Sequence, residues 1–262
     1  MRRLAIALLI LALPAMAADW REELTPPVPG KFPPLRPLTA TYRFGWGKVG
    51  AATADFSFTR PEPGVLKLTV RAKSIGAVRT MWRMDTLHEA LARAATLQPI
   101  SLVQVETYKS EVETTHATFD AAGVSRLHES KPAPKTRAKV KRFKCPDVFD
   151  LHTALLFVRS QPLAHGDHYS FVVYPSTSPY LAEIAVIGRE KLKVAGTSYE
   201  AVKLEVKLRA VKKDLTLLAH KKFKQASAWI SDDRDRLLLK IEAEVFVGSV
   251  WAEMEKVEFA GE

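Results

Sequence analysis

Four residues whose types suggest chemistry lie close together in the sequence: Cys145, Asp147, Asp150 and His152. A cysteine nucleophile needs a thiolate held beside an imidazole, with a third group that orients the ring. The residues around Cys145 match no known nucleophile setting, and this cysteine is the only one in the chain. We therefore interpret Cys145 as a structural or surface thiol.

His165-Gly166-Asp167-His168 could supply ligands to a metal ion. A useful metal site requires three or four ligands in fixed geometry. No third partner is visible, and Gly-Asp is typical of a turn. We predict no metal and no cofactor.

The carboxylate pair of a glycan hydrolase is defined by its separation in space, so the sequence alone identifies no such pair. We favour a protein that is not an enzyme.

Residues 131–144, KPAPKTRAKVKRFK, contain seven basic residues and no acidic one. Prolines 132 and 134 indicate a projecting loop or a wide hairpin. Such a loop would attract phosphates or an anionic membrane surface, although a solvated charged run is the alternative. The candidates for binding an anionic group are Lys135, Arg137, Lys139, Lys141, Arg142 and Lys144.

The N-terminal residues predict export. Arg2 and Arg3 precede an apolar run that ends at the small-residue site Ala15-Met16-Ala17, which is typical of a secretory signal peptide. Cleavage lowers the net charge from +10 to +8, because it removes two arginines. In an exported protein this charge favours anionic lipids, lipopolysaccharide or an envelope polymer, and we expect no nucleic acid. We expect a periplasmic protein, soluble after cleavage.

Six prolines in residues 19–37 predict an extended leader, either laid on the surface or disordered. Strict alternation begins at Leu38 and recurs almost to the C-terminus, which is the signature of strands with one dry face. We predict a signal peptide at 1–17, a proline-rich leader at 18–37 and a single β-rich domain at 38–262.

About a dozen strands with frequent turn signals predict a mainly β protein with one large curved antiparallel sheet, a half-barrel or open barrel. A short helical piece is expected around residues 78–82. The best helix is at 146–160, where apolar residues follow helical spacing and Asp147 or Asp150 can cap the N-terminus. We expect this single helix to pack in the concavity of the sheet.

Several motifs occur in an order that resembles the exported bacterial proteins of domain-of-unknown-function family 3108. They are Tyr42-x-Phe44 with Val49-Gly50-Ala51, Asp150-x-x-Thr153-Ala154-Leu155 ending at Arg159, Gly166-Asp167, Gly188-x-Glu190 before Gly196, and Trp229-Ile230-Ser231-x-Asp233. The family is similar in architecture to periplasmic lipoprotein carriers, in which a curved sheet with a helical lid encloses an apolar ligand. The resemblance implies no catalytic residues.

We therefore hypothesise a non-enzymatic periplasmic carrier or envelope-maintenance protein for an amphiphilic or anionic ligand, such as a lipid, lipopolysaccharide or a lipoprotein acyl chain. The alternatives are a hydrolase acting on envelope glycans and a scaffold that binds proteins through a sheet edge. The sequence leaves the oligomeric state open. The candidates for binding the apolar part of a ligand, which plain core packing would also explain, are Tyr42, Phe44, Trp46, Phe56, Phe58, Phe149 and Phe157.

Overall fold

The computed structural model describes residues 19–132, 140–219, 223–245 and 248–261. The predicted signal peptide at 1–17 lies outside these residues. A short 3₁₀ helix (Trp20–Glu23), α1 (Gly76–Met81) and α2 (Leu151–Ser160) accompany the strands. The strands are β1 (Leu38–Trp46), β2 (Val49–Glu62), β3 (Val65–Ser74), β4 (Met84–Arg93), β5 (Pro99–Tyr108), β6 (Glu111–Asp120), β7 (Gly123–Lys131), β8 (Lys141–Phe143), β9 (His168–Val173), β10 (Tyr180–Val194), β11 (Thr197–Val211), β12 (Leu217–Ala219), β13 (Phe223–Ser231), β14 (Leu238–Val245) and β15 (Ser249–Phe259).

All the strands belong to one antiparallel sheet that is not closed. The path runs β8-β7-β6-β5-β4-β3-β2-β1-β15-β14-β13-β11-β10-β9, and β12 pairs with β11 off this path. The first and last long strands meet in the middle, where Tyr42 lies opposite Met254. The sheet therefore has two halves, β1–β8 and β9–β15, joined by the β1–β15 pairing. The prediction of a curved, mainly β fold with one packed helix is confirmed.

The alternating residues give the first half one buried face. Cross-strand partners along one row of that face are all buried: Phe58, Leu68, Ala90, Leu102 and Ala117. Leu156 of α2 belongs to the same apolar cluster. Its neighbour Phe157 belongs to the cluster of the other half. The helix thus contacts both halves and lies inside the curve of the sheet, so the Phe58 face is the inner face.

Helix α2 begins at Leu151, later than the predicted start at residue 146. The Asp150 side chain accepts hydrogen bonds from the backbone N–H groups of His152 and Thr153 at 2.7 and 3.2 Å. The Thr153 hydroxyl accepts in return from the Asp150 N–H, which completes a capping box. Asp147 has a positive φ and lies in the turn before the helix. The capping box, rather than the apolar spacing, therefore sets the helix start.

The proline-rich leader is extended and hydrogen-bonded to the domain along its length. Trp20 Nε1 donates to the carbonyl of Leu215 at 2.9 Å, and Thr25 N donates to the carbonyl of Ser170 on β9 at 2.8 Å. Further along, Gly30 N donates to Ser160 Oγ at 3.0 Å. A Cβ at Gly30 would lie 2.0 Å from the Ser160 carbonyl oxygen, so only glycine permits this approach.

The two ends of the curved sheet differ. At one end the leader crosses the C-terminus of α2, and we call this the closed end. At the other end lie the β1–β2 turn at Gly47, the helix α1 and the β5–β6 turn at Lys109, and we call this end the mouth. Helix α1, which corresponds to the helical piece predicted at 78–82, has no buried residue among its six. The leader thus covers the interior at the closed end, while exposed segments surround the mouth.

Truncating the buried face of α2 should destabilise the fold. Phe157 is fully buried and packs against the rings of Phe149 and Phe171, with ring centroids 4.9 and 5.6 Å away. We expect Phe157→Ala to lower the free energy of unfolding by about 3–5 kcal/mol in urea denaturation. The matched control on the same helix is exposed Leu151→Ala, which should cost less than about 1 kcal/mol. Equal losses in the two variants would contradict the placement of α2.

Candidate ligand-binding interior

Apolar side chains of the inner face become exposed at the mouth. Phe44 is 39% exposed and Trp46 is 54% exposed, although both lie on the face that carries buried Leu38 and Ala40. Trp46 lies opposite Val49 on β2 and Val250 on β15, and these two valines are exposed as well. Four neighbouring apolar residues therefore form a patch on the inner face, which we call the mouth patch.

The backbone of the hairpin is held in place below this patch. Trp251 Nε1 donates to the carbonyl of Gly47 at 2.8 Å, and the Trp251 ring lies against Gly45. A Cβ at Gly45 would be 2.2 Å from that ring, and Gly47 has a φ of 55°. Because the Trp251 ring excludes a Cβ at Gly45 and the positive φ favours glycine at Gly47, the sequence places the aromatic residues of the patch beside a defined turn.

Helix α1 adds two more exposed apolar residues beside the mouth patch. Met81 and Trp82 are both exposed, and the Trp82 ring stacks on Tyr108 with centroids 6.2 Å apart. The chain entering α1 is bonded to β2, since Ile75 N donates to the carbonyl of Ala51 at 2.9 Å. The mouth is therefore bordered on two sides by exposed aromatic and sulfur-containing side chains, which suit contact with an apolar ligand.

The structure does not bring the seven predicted aromatic residues together. Phe44 and Trp46 lie in the mouth patch. Phe58 is buried in the larger apolar cluster, which includes residues of both halves of the sheet, and Phe56 packs against this cluster. The Tyr42 hydroxyl donates to the carbonyl of Leu238 at 2.8 Å. Burial raises the pKa of Tyr42 well above its usual range.

Phe149 and Phe157 form a third group. They stack in the other apolar cluster, together with Phe171, and both are buried. The packing of Phe58, Phe149 and Phe157 inside the two clusters leaves the two mouth aromatics, Phe44 and Trp46, as the exposed residues among the seven.

The predicted anion-binding residues are only partly described. Lys135, Arg137 and Lys139 lie outside the described residues. Lys141, Arg142 and Lys144 are exposed, and β8 pairs with the start of β7, away from the mouth. Arg142 donates two hydrogen bonds of 2.9 Å to the Asp120 carboxylate. Arg142 is therefore ion-paired. Lys141, Arg142 and Lys144 lie away from the mouth, whereas Lys131, the first residue of the basic loop, lies opposite Val112 near the β5–β6 turn.

Polar residues line part of the inner face of β4–β7. Cross-strand partners in one row are His88, Gln104, Thr115 and His128. Thr115 Oγ1 and His128 Nδ1 lie 3.0 Å apart, and Gln104 Nε2 donates to the carbonyl of Pro175 at 2.9 Å. The sequence alone does not place these polar residues inside the fold. Their alternation alone does not say which face turns inward.

His88 meets His152 of α2 in this polar region. The ring centroids are 5.7 Å apart in an edge-on arrangement. Neither Nε2 atom has a hydrogen-bond partner among the described residues, and buried groups of this kind generally bond ordered water. Burial lowers the pKa of each histidine to about 4, and the charge of His152 contributes for His88. Both rings are therefore neutral near pH 7.

Three residues whose types suggested catalysis or metal binding, Cys145, Asp150 and Asp167, are buried or hydrogen-bonded within the fold. Cys145 is buried, and burial raises the pKa of its thiol, which opposes formation of a thiolate. The Asp150 carboxyl is engaged as the helix cap. Asp167 Oδ2 accepts hydrogen bonds from Ala164 N and the Tyr169 hydroxyl, both at 2.8 Å. Within the described ranges, no three His, Cys, Asp or Glu side chains are grouped to hold a metal ion.

The buried histidine pair predicts a pH dependence of stability. The folded pKa of about 4 lies below the unfolded value of about 6.5. The unfolded chain therefore binds more protons between these values, and the free energy of unfolding falls as pH decreases. Each histidine contributes at most about 1.4 kcal/mol per pH unit. The Asp150 pKa, raised by burial, acts in the opposite direction.

Urea denaturation from pH 7 to pH 4.5 tests this dependence. His88→Gln should reduce the slope of stability against pH, because it removes one titrating ring and leaves Asp150 and His152 in place. His116→Gln is the control, since His116 is exposed on β6, and it should leave the slope unchanged. An unaltered slope in the His88 variant would show that His88 titrates normally.

No helix in the described part of the chain is long and apolar enough to cross a membrane. No curated protein sequence matches the chain. A β-barrel-like protein of the domain of unknown function DUF1849 from Brucella abortus is similar in structure, with a TM-score of 0.56 and 8% identity over 88% of this chain and 100% of that chain. This likeness supports the fold alone.

Two further solved structures are more distant. One is a protein considered a lipoprotein, from Parabacteroides distasonis, with a TM-score of 0.36 and 7% identity over 88% of this chain and 99% of that one. The other is considered an exported protein with a YmcC-like fold, from Bacteroides fragilis, with a TM-score of 0.35, 9% identity and the same coverage. The family described as "Protein of unknown function (DUF3108)" matches residues 39–255, and the chain therefore belongs to this family.

Proposed function

We propose that this protein is a non-enzymatic binding protein of the cell envelope that holds an amphiphilic ligand at the mouth of its curved sheet. The observation that carries the proposal is the mouth patch. Phe44 and Trp46 are exposed on the inner face, although the same face is buried elsewhere along β1. Complete burial of an exposed Phe side chain contributes about 1.5–3 kcal/mol. A ligand that covers the exposed parts of Phe44 and Trp46 gains a fraction of this free energy from each side chain.

The interior limits how the ligand binds. Helix α2 fills the space between the two halves of the sheet, and the leader covers the closed end. An acyl chain would therefore lie across the mouth patch instead of penetrating the full length of the interior. Exposed cations near the mouth could meet an anionic headgroup: Lys48 in the β1–β2 turn, Arg83 after α1 and Lys109 in the β5–β6 turn. The ligand class that fits is a single-chain anionic amphiphile.

The proposed location is the periplasm. This part of the proposal rests on the sequence of residues 1–17, which is typical of a secretory signal peptide. The leader and residues 38–262 would then form the exported protein. A lipid, lipopolysaccharide or a lipoprotein acyl chain would be the amphiphile available there.

The two alternative functions, a protein-binding scaffold and a glycan hydrolase, have different support. A scaffold would need a free sheet edge, but β9 is bonded along its edge by Thr25 of the leader and by Phe149. A glycan hydrolase would need two carboxyl groups beside its substrate. Glu106 and Glu113 are cross-strand partners on the inner face of β5 and β6, and they are the pair to substitute if glycan cleavage is ever detected.

Substitution of the mouth patch should weaken binding of a monomeric anionic lysophospholipid. Trp46→Ser combined with Phe44→Ser should raise the dissociation constant of myristoyl-lysophosphatidylglycerol at least tenfold in isothermal titration calorimetry. The double variant loses the apolar contact of both aromatic rings with the ligand, and a loss of about 1.4 kcal/mol of binding free energy corresponds to a tenfold change. Val28→Ser is a matched control, since Val28 is 66% exposed in the leader, away from the mouth. Circular dichroism verifies that each variant is folded. Wild-type affinity in the double variant would refute the proposal.

A further inference from the structure

A separate cavity lies at the closed end of the interior. It has a volume of about 110 Å³ and is enclosed by the leader, the C-terminal half of α2 and strands β2 and β3 with the turn after β4. Its wall is mainly apolar, and the side chains that form most of it are Phe32, Leu35, Phe58, Leu66, Leu97 and Leu156. The cavity is at the opposite end of the sheet from the mouth patch.

Two arginines, Arg60 and Arg159, also belong to this wall. Arg159 is only 4% exposed. Its Nη1 donates to the carbonyl of Pro33 at 3.1 Å and its Nη2 to the carbonyl of Asp235 at 2.9 Å, whereas its Nε has no hydrogen-bond partner among the described residues. Both acceptors are neutral. The cavity wall thus contains a buried guanidinium that bonds only neutral groups among the described residues, and burying a charge is costly unless an anion meets it.

The acidic side chains near Arg159 have other partners. The Asp235 carboxylate accepts from Arg36 Nε and Nη2 at 2.9 and 2.7 Å. The Asp232 carboxylate accepts from Arg189 Nε at 2.6 Å. Asp233 accepts from the Ser231 hydroxyl and from two backbone N–H groups of its own turn. These carboxylates attract Arg159 at longer range, but none makes a direct ion pair with it.

Arg60 adds a second positive charge to the same wall. It is exposed, and its Nη2 donates to the carbonyl of Leu35 at 3.2 Å. Exposed Pro34 lies in the wall beside it. The cavity therefore borders solvent where Arg60 lies, and an anion entering there would pass from an exposed guanidinium to a buried one.

We propose that this cavity binds a short-chain monocarboxylate, with the carboxylate at Arg159 and Arg60 and the alkyl tail among the apolar side chains. A guanidinium is well suited to a carboxylate. The size of the cavity sets the tail length, since a cavity of about 150 Å³ lined by apolar side chains holds benzene. A volume of about 110 Å³ accommodates a tail of about four carbons. This site is distinct from the mouth patch and does not depend on the function proposed for it.

Titration of the full exported chain with pentanoate tests the site, with binding followed by NMR. We expect saturable binding of one pentanoate per protein with a dissociation constant at or below about 1 mM, which a ligand of this size can reach. Pentanol has the tail without the charge, and acetate has the charge without the tail. Each should bind at least tenfold more weakly. Saturation absent up to 10 mM pentanoate, or equal binding of pentanol, would overturn the proposal.

Two variants test whether pentanoate binds in this cavity. Ala94→Phe fills the cavity from its wall and should abolish pentanoate binding, and Arg60→Gln should weaken it severalfold. Arg71→Gln is the matched control, because Arg71 is an exposed arginine on β3 that does not line the cavity, and it should bind like the wild type. Arg159 is left unchanged because it also holds the leader. If both the Ala94 and Arg60 variants bind pentanoate normally while remaining folded by circular dichroism, the ligand occupies another site.

Discussion

The structure depends on the burial of α2 between the two halves of a single sheet. Neither half alone encloses a core, because each presents one apolar face to the helix. Phe157, Phe149 and Phe171 form an aromatic group on one side of α2, and Leu156 joins Phe58 and Leu66 on the other. The β1–β15 pairing then holds the two halves around the helix. Loss of the helix would expose both inner faces, so the open sheet and the buried helix are one cooperative unit.

Burying a helix end creates unsatisfied carbonyl groups, and Arg236 provides the donors here. Arg236 donates to the carbonyls of Arg159, Gln161 and Pro162 at the C-terminus of α2. A cation in this position is favourable, because the C-terminus of a helix carries partial negative charge. Phe32 of the leader lies against Arg236, with Cζ 3.4 Å from the ring centroid. The leader thus packs against the same arginine that completes the helix end.

Sequence patterns were sufficient for the sheet but not for its interior. The alternation around Tyr42 and Phe58 predicts β1 and β2, and the resulting dry face is observed. The same alternation does not predict that Phe58 is buried while Trp46 is exposed. This difference in burial depends on how far each neighbouring strand extends along the sheet. The anchoring of the leader was equally inaccessible, since Gly30 bonds to Ser160, 130 residues away. The His88–His152 contact arises in the same way, from a strand and a helix that are distant in sequence.

The interior is covered by α2 and the leader at one end, and in the proposed function it accepts an amphiphile at the other. Hydrogen–deuterium exchange with and without a saturating anionic lysophospholipid tests this most directly. The account predicts slower exchange at residues 44–50, 75–83 and 248–252, with unchanged exchange in residues 19–37. Protection confined to the leader and the C-terminus of α2, with none at the mouth, would contradict it.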